Sequence, residues 1–148
     1  MIEVVGGVER AVAAGVVRTN RDLPTAERLA ELAADLRDLV AEYRPATAAI
    51  EQVFVNRNTA TAMAVGRASG VAILVLAEAG VAVGEYTPSG VKMALTGSGS
   101  ADKQQMQRVV AMRLGLPEPP RPADAADALA VALCHLQHLP LQRIVGSA

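Results

Sequence analysis

The chain has 148 residues, of which 51% are hydrophobic and 2% aromatic, and its formal net charge is -1. This length suits one compact domain, and the near-neutral charge argues neither for nor against a polyanionic partner. The single cysteine, Cys134, excludes an internal disulfide, and "MIEVVGGVER" lacks the basic and apolar regions of a signal peptide. We therefore expect one cytoplasmic domain over residues 1–148.

The first part of the chain predicts a strand, a helix and a second strand. Arg10–Asn20 is rich in β-branched residues and leads into a polar loop, which indicates a strand. From Thr25 to Tyr43, apolar residues recur at three- and four-residue spacing, which predicts a helix that Pro45 ends. The run Thr47–Phe54 then predicts a short strand. Strand, helix and strand in this order are typical of parallel pairing.

The middle of the chain predicts a long helix and a third strand. Asn58–Ala79 is alanine-rich, and Gly66 and Gly70 lower its helix propensity but allow close approach to a neighbour. The apolar run "SGVAILVLA" inside it is too short to span a bilayer, so we expect this run in the core and no membrane contact. Gly80–Tyr86 then predicts a strand. Together these elements predict an α/β fold.

The last part of the chain predicts helices. A stretch marked by proline and glycine, "TPSGVKMALTGSGS", allows a short helix at most. The segments Ser100–Leu116 and Ala123–Leu139 predict amphipathic helices, and we expect a flexible tail over about residues 137–148. The loop "GSGS" has two interpretations: a phosphate-facing loop, or a plain helix entry capped by Ser100.

Glu51 is a carboxylate within the apolar strand sequence "AIEQVF". Alternate residues of a strand face opposite sides, so Glu51 shares a face with Ala49 and Val53. A desolvated, unpaired carboxylate is costly, so Glu51 needs a cation, a hydrogen-bond donor or an open sheet end. Two interpretations stay open: a functional site, or an edge strand with Glu51 in water.

Asp124 and Asp127 lie three residues apart near the start of the last predicted helix. Acidic residues after a proline are ordinary helix-start signals, because they are favourable at the positive end of the helix dipole. Three-residue spacing also makes the two aspartates neighbours on one face, which Val131 and His135 continue. Because an apolar residue follows the two aspartates on this face, the pattern favours an acidic face that turns toward the protein interior near the start of the helix.

Oxygen ligands from a strand end and a helix start, without a His–Cys pattern, favour Mg²⁺ or Mn²⁺ over zinc. Carboxylate clusters of this kind hold two metal ions that activate water and stabilise the leaving oxygen in phosphodiester cleavage. The residues therefore predict a nuclease that acts on a nucleic-acid backbone.

Five motifs, "AIEQVF", "GVAILV", "VK", "TGSGSADK" and "ADAADALA", resemble in order and spacing the RuvC family of bacterial crossover junction endodeoxyribonucleases. The resemblance extends from about Gly15 to Leu136. It implies an RNase H-like three-layer fold, with a mixed β-sheet flanked by helices, and a homodimer that cuts Holliday junctions with Mg²⁺. It also implies four-way junction DNA, RuvA and RuvB as partners, in recombination and repair.

Carried over by motif, the resemblance implies roles for seven residues. Glu51, Asp124 and Asp127 would be catalytic and would bind about two Mg²⁺ ions, with Mn²⁺ as a substitute. Phe54 would stack on a base of the opened junction, although a lone phenylalanine also suits the core. Three basic residues would contact DNA, although an isolated lysine is more often simply solvated. They are Lys92, Lys103 and, as a weaker candidate, Arg57.

The chain departs from the family pattern at its start. The family begins with a strand carrying Asp-Pro-Gly, whose aspartate is a fourth catalytic carboxylate, and this sequence has no such motif. "MIEVVGGVER" resembles the family's second strand and turn, and neither Glu3 nor Glu9 matches the aspartate. We expect roughly one or two more short strands upstream, with a diverged copy as the alternative.

Without the first-strand aspartate, we expect these 148 residues alone to be poorly active. A runner-up interpretation is therefore a non-catalytic protein that binds four-way junction DNA. A third, a small α/β ligand-binding domain unrelated to DNA, draws support from the near-neutral net charge.

Overall fold

The computed structural model of the chain describes residues 1–52 and 59–139. Contacts divide the chain into two compact units. Unit 1 consists of Met1–Val16 and Tyr86–Ala148, and unit 2 consists of Val17–Glu85.

Unit 1 begins with an antiparallel hairpin. Strands β1 (Ile2–Val5) and β2 (Val8–Ala11) pair through the turn residues Gly6 and Gly7, which both adopt positive φ, 58° and 81°. A two-residue hairpin turn of this kind requires positive φ twice, and glycine adopts it without a steric penalty. The prediction of a strand over Arg10–Asn20 is wrong beyond Ala11. β-branched composition suits a strand, but a strand also needs a pairing partner along its length. The pairing of β2 with β1 ends at Ala11 opposite Ile2, and beyond it Met1 bonds only to Val12 and Ala13 among the described residues.

Helix α1 (Thr25–Tyr43) of unit 2 confirms the prediction from periodicity. Its half-buried leucines face one side, and Arg44 ends the helix in the left-handed region (φ 45°) before Pro45. The Arg44 backbone N–H donates to the Val40 carbonyl, so this helix end keeps a backbone hydrogen bond.

The rest of unit 2 is a strand, a helix and a second strand, whose last residue, Tyr86, already belongs to unit 1. Strands β3 (Thr47–Glu51) and β4 (Ala82–Tyr86) pair with each other, and the Thr47 hydroxyl donates to the Ala82 carbonyl over 3.0 Å. Between them in sequence lies α2 (Thr59–Glu78). Arg37 of α1 forms an ion pair with Glu78 of α2 (3.2 Å).

Helix α2 has the predicted bounds to within one residue but not the predicted environment. We expected its apolar run in the core, yet Val75 is its one buried residue, while Met63, Val65 and Leu74 are about half exposed. Over the described residues, α2 is also the one helix long and apolar enough to cross a membrane, by length and composition. Packing against α1 covers part of the α2 surface, and these three apolar side chains stay about half exposed among the described residues.

Three helices complete unit 1: α3 (Pro88–Thr96), α4 (Lys103–Arg113) and α5 (Ala123–His138). Helix α5 supplies most of the unit's core, because small and aliphatic residues fill its inner face. Fully burying one such leucine stabilises the fold by about 1.5–3 kcal/mol. The buried positions of α5 are Ala125, Ala126, Leu129, Ala130, Val131, Leu133, Cys134 and His135. Gln137 and His138 also belong to α5, and residues 140–148 lie outside the described residues.

Two caps fix the starts of α3 and α4. Thr87 accepts the backbone N–H of Gly90 over 3.0 Å, and a Cβ at Gly90 would lie 2.9 Å from this hydroxyl, so a larger residue there would displace the Thr87 side chain. The prediction that Ser100 caps α4 is wrong. Asp102 is the cap and forms a capping box with Gln105, because each side chain reaches the other residue's backbone N–H.

Candidate functional site

The N-terminal turns of α5 carry the paired aspartates. Asp124 and Asp127 are exposed, whereas Ala125 and Ala126 between them are buried against the core of unit 1. The backbone N–H groups of these two alanines donate to the Pro122 carbonyl and fix the first turn. The helix therefore places two carboxylates side by side in water, with an apolar core directly behind them. Farther along the predicted stripe, Val131 and His135 are buried.

Lys103, the first residue of α4, contacts this pair. Its Nζ lies 3.3 Å from Asp127 Oδ2, and both side chains are about half exposed. An exposed ion pair of this kind contributes only about 0–1 kcal/mol to stability. The importance of the contact is therefore its position: it places a cation beside a carboxylate at the exposed N-terminal end of α5.

A second contact fixes α4 against α5 at the other end of both helices. Gln137, with its amide oriented so that its nitrogen donates to the Ala94 carbonyl (3.0 Å), accepts from Arg113 Nη1. Lys103 contacts Asp127, and Arg113 contacts Gln137. In both contacts the two residues are the same number of positions apart in the sequence. The two helices therefore run in the same direction and in register over ten residues, about 15 Å.

Arg113 also joins these helices to the hairpin. Its guanidinium donates to both carboxylate oxygens of Glu9 on β2, over 3.0 Å for the Nε to Oε2 bond. Both side chains are about one-fifth exposed, so this pair is better shielded from water than Lys103 and Asp127. A two-point guanidinium–carboxylate contact also fixes the relative orientation of the two groups.

Lys92, the other lysine singled out from the sequence, lies half-buried on α3. After it, Thr96 donates through its hydroxyl to the Lys92 carbonyl (2.8 Å), and Gly97 ends α3 with a φ of 74°. In the following loop, the hydroxyls of Ser98 and Ser100 lie 3.1 Å apart. The structure thus describes this loop as the link between two capped helices.

The remaining residues predicted for the site are Glu51, Phe54 and Arg57. Glu51 is exposed at the last residue of β3, in unit 2. Phe54 and Arg57 lie outside the described residues.

The C-terminal half of α5 holds a polar cluster, part buried and part exposed, that the sequence did not reveal. The Tyr86 hydroxyl lies 2.8 Å from His135 Nδ1, and His138 Nδ1 donates to the Cys134 carbonyl over 2.7 Å. Burial lowers the pKa of His135, with a further contribution from His138, and burial raises the pKa of Tyr86 and of the Cys134 thiol. One signal was available: Tyr86 is one of only two tyrosines.

The donor chemistry of the aspartates fits a hard divalent cation. Two exposed carboxylates offer oxygen ligands, and Mg²⁺ is commonly held by one or two carboxylates together with water and substrate phosphates. Within neither unit does the described part of the chain place three His, Cys, Asp or Glu side chains around one point. Asp124 and Asp127 thus fit part of a magnesium site, one that leaves room for water and phosphate.

Comparisons with known proteins agree with the α/β architecture. The family model for crossover junction endodeoxyribonuclease RuvC matches residues 1–135. The RuvC of Roseiflexus sp. (strain RS-1) is 51% identical over 143 residues, which are 97% of this chain and 85% of the relative. The RuvC of Chloroflexus aggregans is 49% identical over 144 residues, 97% of this chain and 88% of the relative.

Two solved structures of Thermus thermophilus RuvC are also similar. One superposes with a TM-score of 0.84 at 38% identity, over 91% of this chain and 83% of that chain. The other, in complex with a Holliday junction substrate, gives 0.81 at 35% identity, over 91% and 82%. The fold and the family define an RNase H-like hydrolase, which confirms the predicted fold class. This chain belongs to the RuvC family of crossover junction endodeoxyribonucleases.

Proposed function

We propose that this protein resolves Holliday junctions in recombination and repair by hydrolysing phosphodiester bonds of four-way junction DNA. One observation carries the proposal: α5 presents Asp124 and Asp127 together in water, and Lys103 contacts Asp127. Carboxylates beside a cation suit a phosphodiester substrate, because the carboxylates bind metal and the cation compensates phosphate charge. The solved relative bound to a Holliday junction substrate supports the choice of DNA structure.

Asp124 and Asp127 would hold Mg²⁺, or Mn²⁺ in its place, and Glu51 would be the third carboxylate. When bound, about two such ions would activate water and stabilise the leaving oxygen. The chain's own contribution is placement: α5 is held by its buried face, so the two carboxylates keep a fixed spacing. Lys103, whose Nζ lies 3.3 Å from Asp127 Oδ2, would compensate phosphate charge beside the carboxylates.

The DNA contacts proposed from the family motif are Lys92, Lys103, Phe54 and Arg57. Lys92 is half-buried, and a lysine in this setting can pack its methylene stem on the protein while its ammonium reaches solvent. Stacking of Phe54 on an unpaired base would contribute about 1–3 kcal/mol to junction binding.

We also propose that the protein acts as a homodimer in the cytoplasm, with RuvA and RuvB as partners. An apolar face of α2 supports the dimer, since Met63 and Leu74 lie on one side of the helix and are about half exposed. A Cβ at Gly66 or Gly70 would meet nothing within 4 Å, so a second surface could approach there.

Light scattering after size exclusion tests the dimer. Leu74→Asp, in the middle of the α2 face, should shift the mass from dimer to monomer. Met112→Asp is the matched control, because Met112 is 74% exposed on α4 and should leave the mass unchanged. A monomeric wild-type protein, or a dimer unaffected by Leu74→Asp, would contradict this part of the proposal.

Cleavage of a synthetic four-way junction tests the activity. The full polypeptide that the gene encodes should cut the junction symmetrically in Mg²⁺ or Mn²⁺, leave linear duplex of the same sequence intact and stop in EDTA. Asp127→Asn and Glu51→Gln should bind the junction but cut it at least about a hundredfold more slowly. Asp38→Asn, an exposed aspartate on α1, is the matched control and should cut normally.

Two other outcomes would overturn the proposal. A wild-type protein that shifts the junction in a gel without cutting it under either metal would favour the non-catalytic junction-binding protein. Cutting that survives Asp127→Asn and Glu51→Gln unchanged would reject the roles assigned to these carboxylates.

A further inference from the structure

A hydrogen bond joins Tyr86, just before α3, to His135 in the buried half of α5. The Tyr86 hydroxyl lies 2.8 Å from His135 Nδ1, and the rings meet edge to face, with centroids 5.6 Å apart and 67° between their planes. His135 is only 7% exposed, so the contact lies in the interior of unit 1. A hydrogen bond is directional, so this contact restricts the orientation of the two segments as well as their distance.

The two partners belong to the segments that carry candidate site residues. Tyr86 directly precedes Thr87, which caps α3, and Lys92 lies on α3. On α5, Asp127 lies eight residues before His135, about 12 Å along the helix axis. Because the buried face of α5 packs without freedom to slide, a shift at His135 would be transmitted to Asp127.

We propose that Tyr86 and His135 are positioning residues that hold α3, with Lys92, in a fixed place against α5, with its paired aspartates. The inference rests on the proposed function, since it concerns the placement of residues of that site. Neither residue contacts the substrate in this role.

The protonation states suit a stable link. Burial lowers the pKa of His135 and raises the pKa of Tyr86, so both side chains are neutral at neutral pH. One of them then donates and the other accepts, and no charge is buried. The Tyr86 ring also lies 5.3 Å from the His138 ring, but the hydrogen bond of His138 stays within α5. His138 therefore offers a control that touches Tyr86 without a hydrogen bond between the two segments.

Junction cleavage at saturating Mg²⁺ and junction affinity in EDTA separate placement from binding. Tyr86→Phe keeps the ring and removes the hydroxyl, and His135→Leu keeps the volume and removes Nδ1. Each should lower kcat by about ten- to a hundredfold, since a misplacement of about 1 Å costs up to about a hundredfold. Junction affinity should stay at the wild-type value. The double variant should be no worse than either single variant.

Two further variants make the test specific. His135→Asn places an amide atom near the position of Nδ1 and should restore most of kcat. His138→Asn should leave kcat unchanged, and so should Tyr43→Phe, which removes the hydroxyl of the other tyrosine. If Tyr86→Phe fails to fold, the pair His135→Leu and His135→Asn carries the same comparison.

A wild-type kcat in Tyr86→Phe, or an equal loss in His135→Asn and His135→Leu, would overturn the proposal. Backbone amide NMR provides a readout without reaction: Tyr86→Phe should shift the amides of residues 90–93 and 124–127. Unchanged amides there would also overturn the positioning role. A wild-type protein that fails to cut would overturn the proposed function alone, because the amide shifts then still decide the placement.

Discussion

The two ends of α5 use polar residues in opposite ways. At the N-terminal end, Asp124 and Asp127 are exposed, and Lys103 contacts Asp127 at the surface. At the C-terminal end, His135 is buried and hydrogen-bonded to Tyr86. The first arrangement leaves ligand positions open to water and contributes little to stability, whereas the second satisfies a buried group and holds the helix. In the roles proposed above, one helix would thus carry the residues for chemistry at one end and a residue for placement at the other.

The largest effect, a loss of junction cleavage, should come from Asp127→Asn, which changes only the exposed N-terminal end of α5. Junction cleavage should fall by about 10²–10³-fold, the usual cost of one preorganised electrostatic group in a site. The free energy of unfolding should change by less than about 1 kcal/mol, because the Asp127 side chain is half exposed. Initial cleavage rates and urea denaturation of the same preparation check both. A large loss of stability would mean that the two ends are not separable.

Leu133→Ala should destabilise the packing of the buried C-terminal end of α5. Leu133 is fully buried, and replacing a buried leucine by alanine typically lowers the free energy of unfolding by about 2–5 kcal/mol. Leu136→Ala is the matched control on the same helix, and its cost should be clearly smaller because Leu136 is only half-buried. Urea denaturation measures both values. Equal costs at the two positions would contradict the burial pattern of α5.

Arg113→Gln and Lys103→Gln compare the two polar contacts between α4 and α5. Arg113 is shielded, and its loss removes the partner of Glu9, so we expect a cost of about 1–3 kcal/mol. Lys103 is exposed, and its loss should cost less than about 1 kcal/mol. Adding Glu9→Gln to Arg113→Gln should recover part of the difference, because it removes the charge left without this partner. The measurement is again urea denaturation, and reversed costs would reject this comparison.

The sequence predicts where the helices of this chain lie better than it predicts which of their residues are buried. Helices α1 and α5 follow from apolar spacing, because a helix that buries one face repeats that face every three to four residues. The length of a strand depends on the strand it pairs with, so the β-branched residues after Ala11 did not show where β2 ends. Helix α2 is apolar on most sides, and its composition alone could not distinguish a core helix from one with an uncovered face.

The contacts of the candidate site also divide into those that a local sequence pattern predicts and those that it does not. The spacing of Asp124 and Asp127 predicts their common face, because both lie on one helix and neighbouring turns fix their geometry. The contact of Lys103 with Asp127 joins residues 24 positions apart and depends on the register of α4 against α5. The bond between Tyr86 and His135 spans 49 positions and has no local signal. Long-range contacts of this kind depend on packing, which no short motif encodes.

The smallest expected effect is a pH dependence from the buried end. Burial lowers the pKa of His135 below its ordinary value of 6.5, so the unfolded chain takes up a proton at this residue more readily than the folded protein. Its contribution to stability is therefore fully present above about pH 6.5 and decreases as the pH falls below it, toward the folded-state pKa. Urea denaturation between about pH 7.5 and pH 5 should show this loss, and His135→Asn should reduce the slope. His138→Asn should reduce it less, since His138 acts on the pKa of His135 only as a second cause. A slope in His135→Asn equal to that of the wild type would assign the pH dependence to other groups, and would leave the buried end of α5 without a titrating residue.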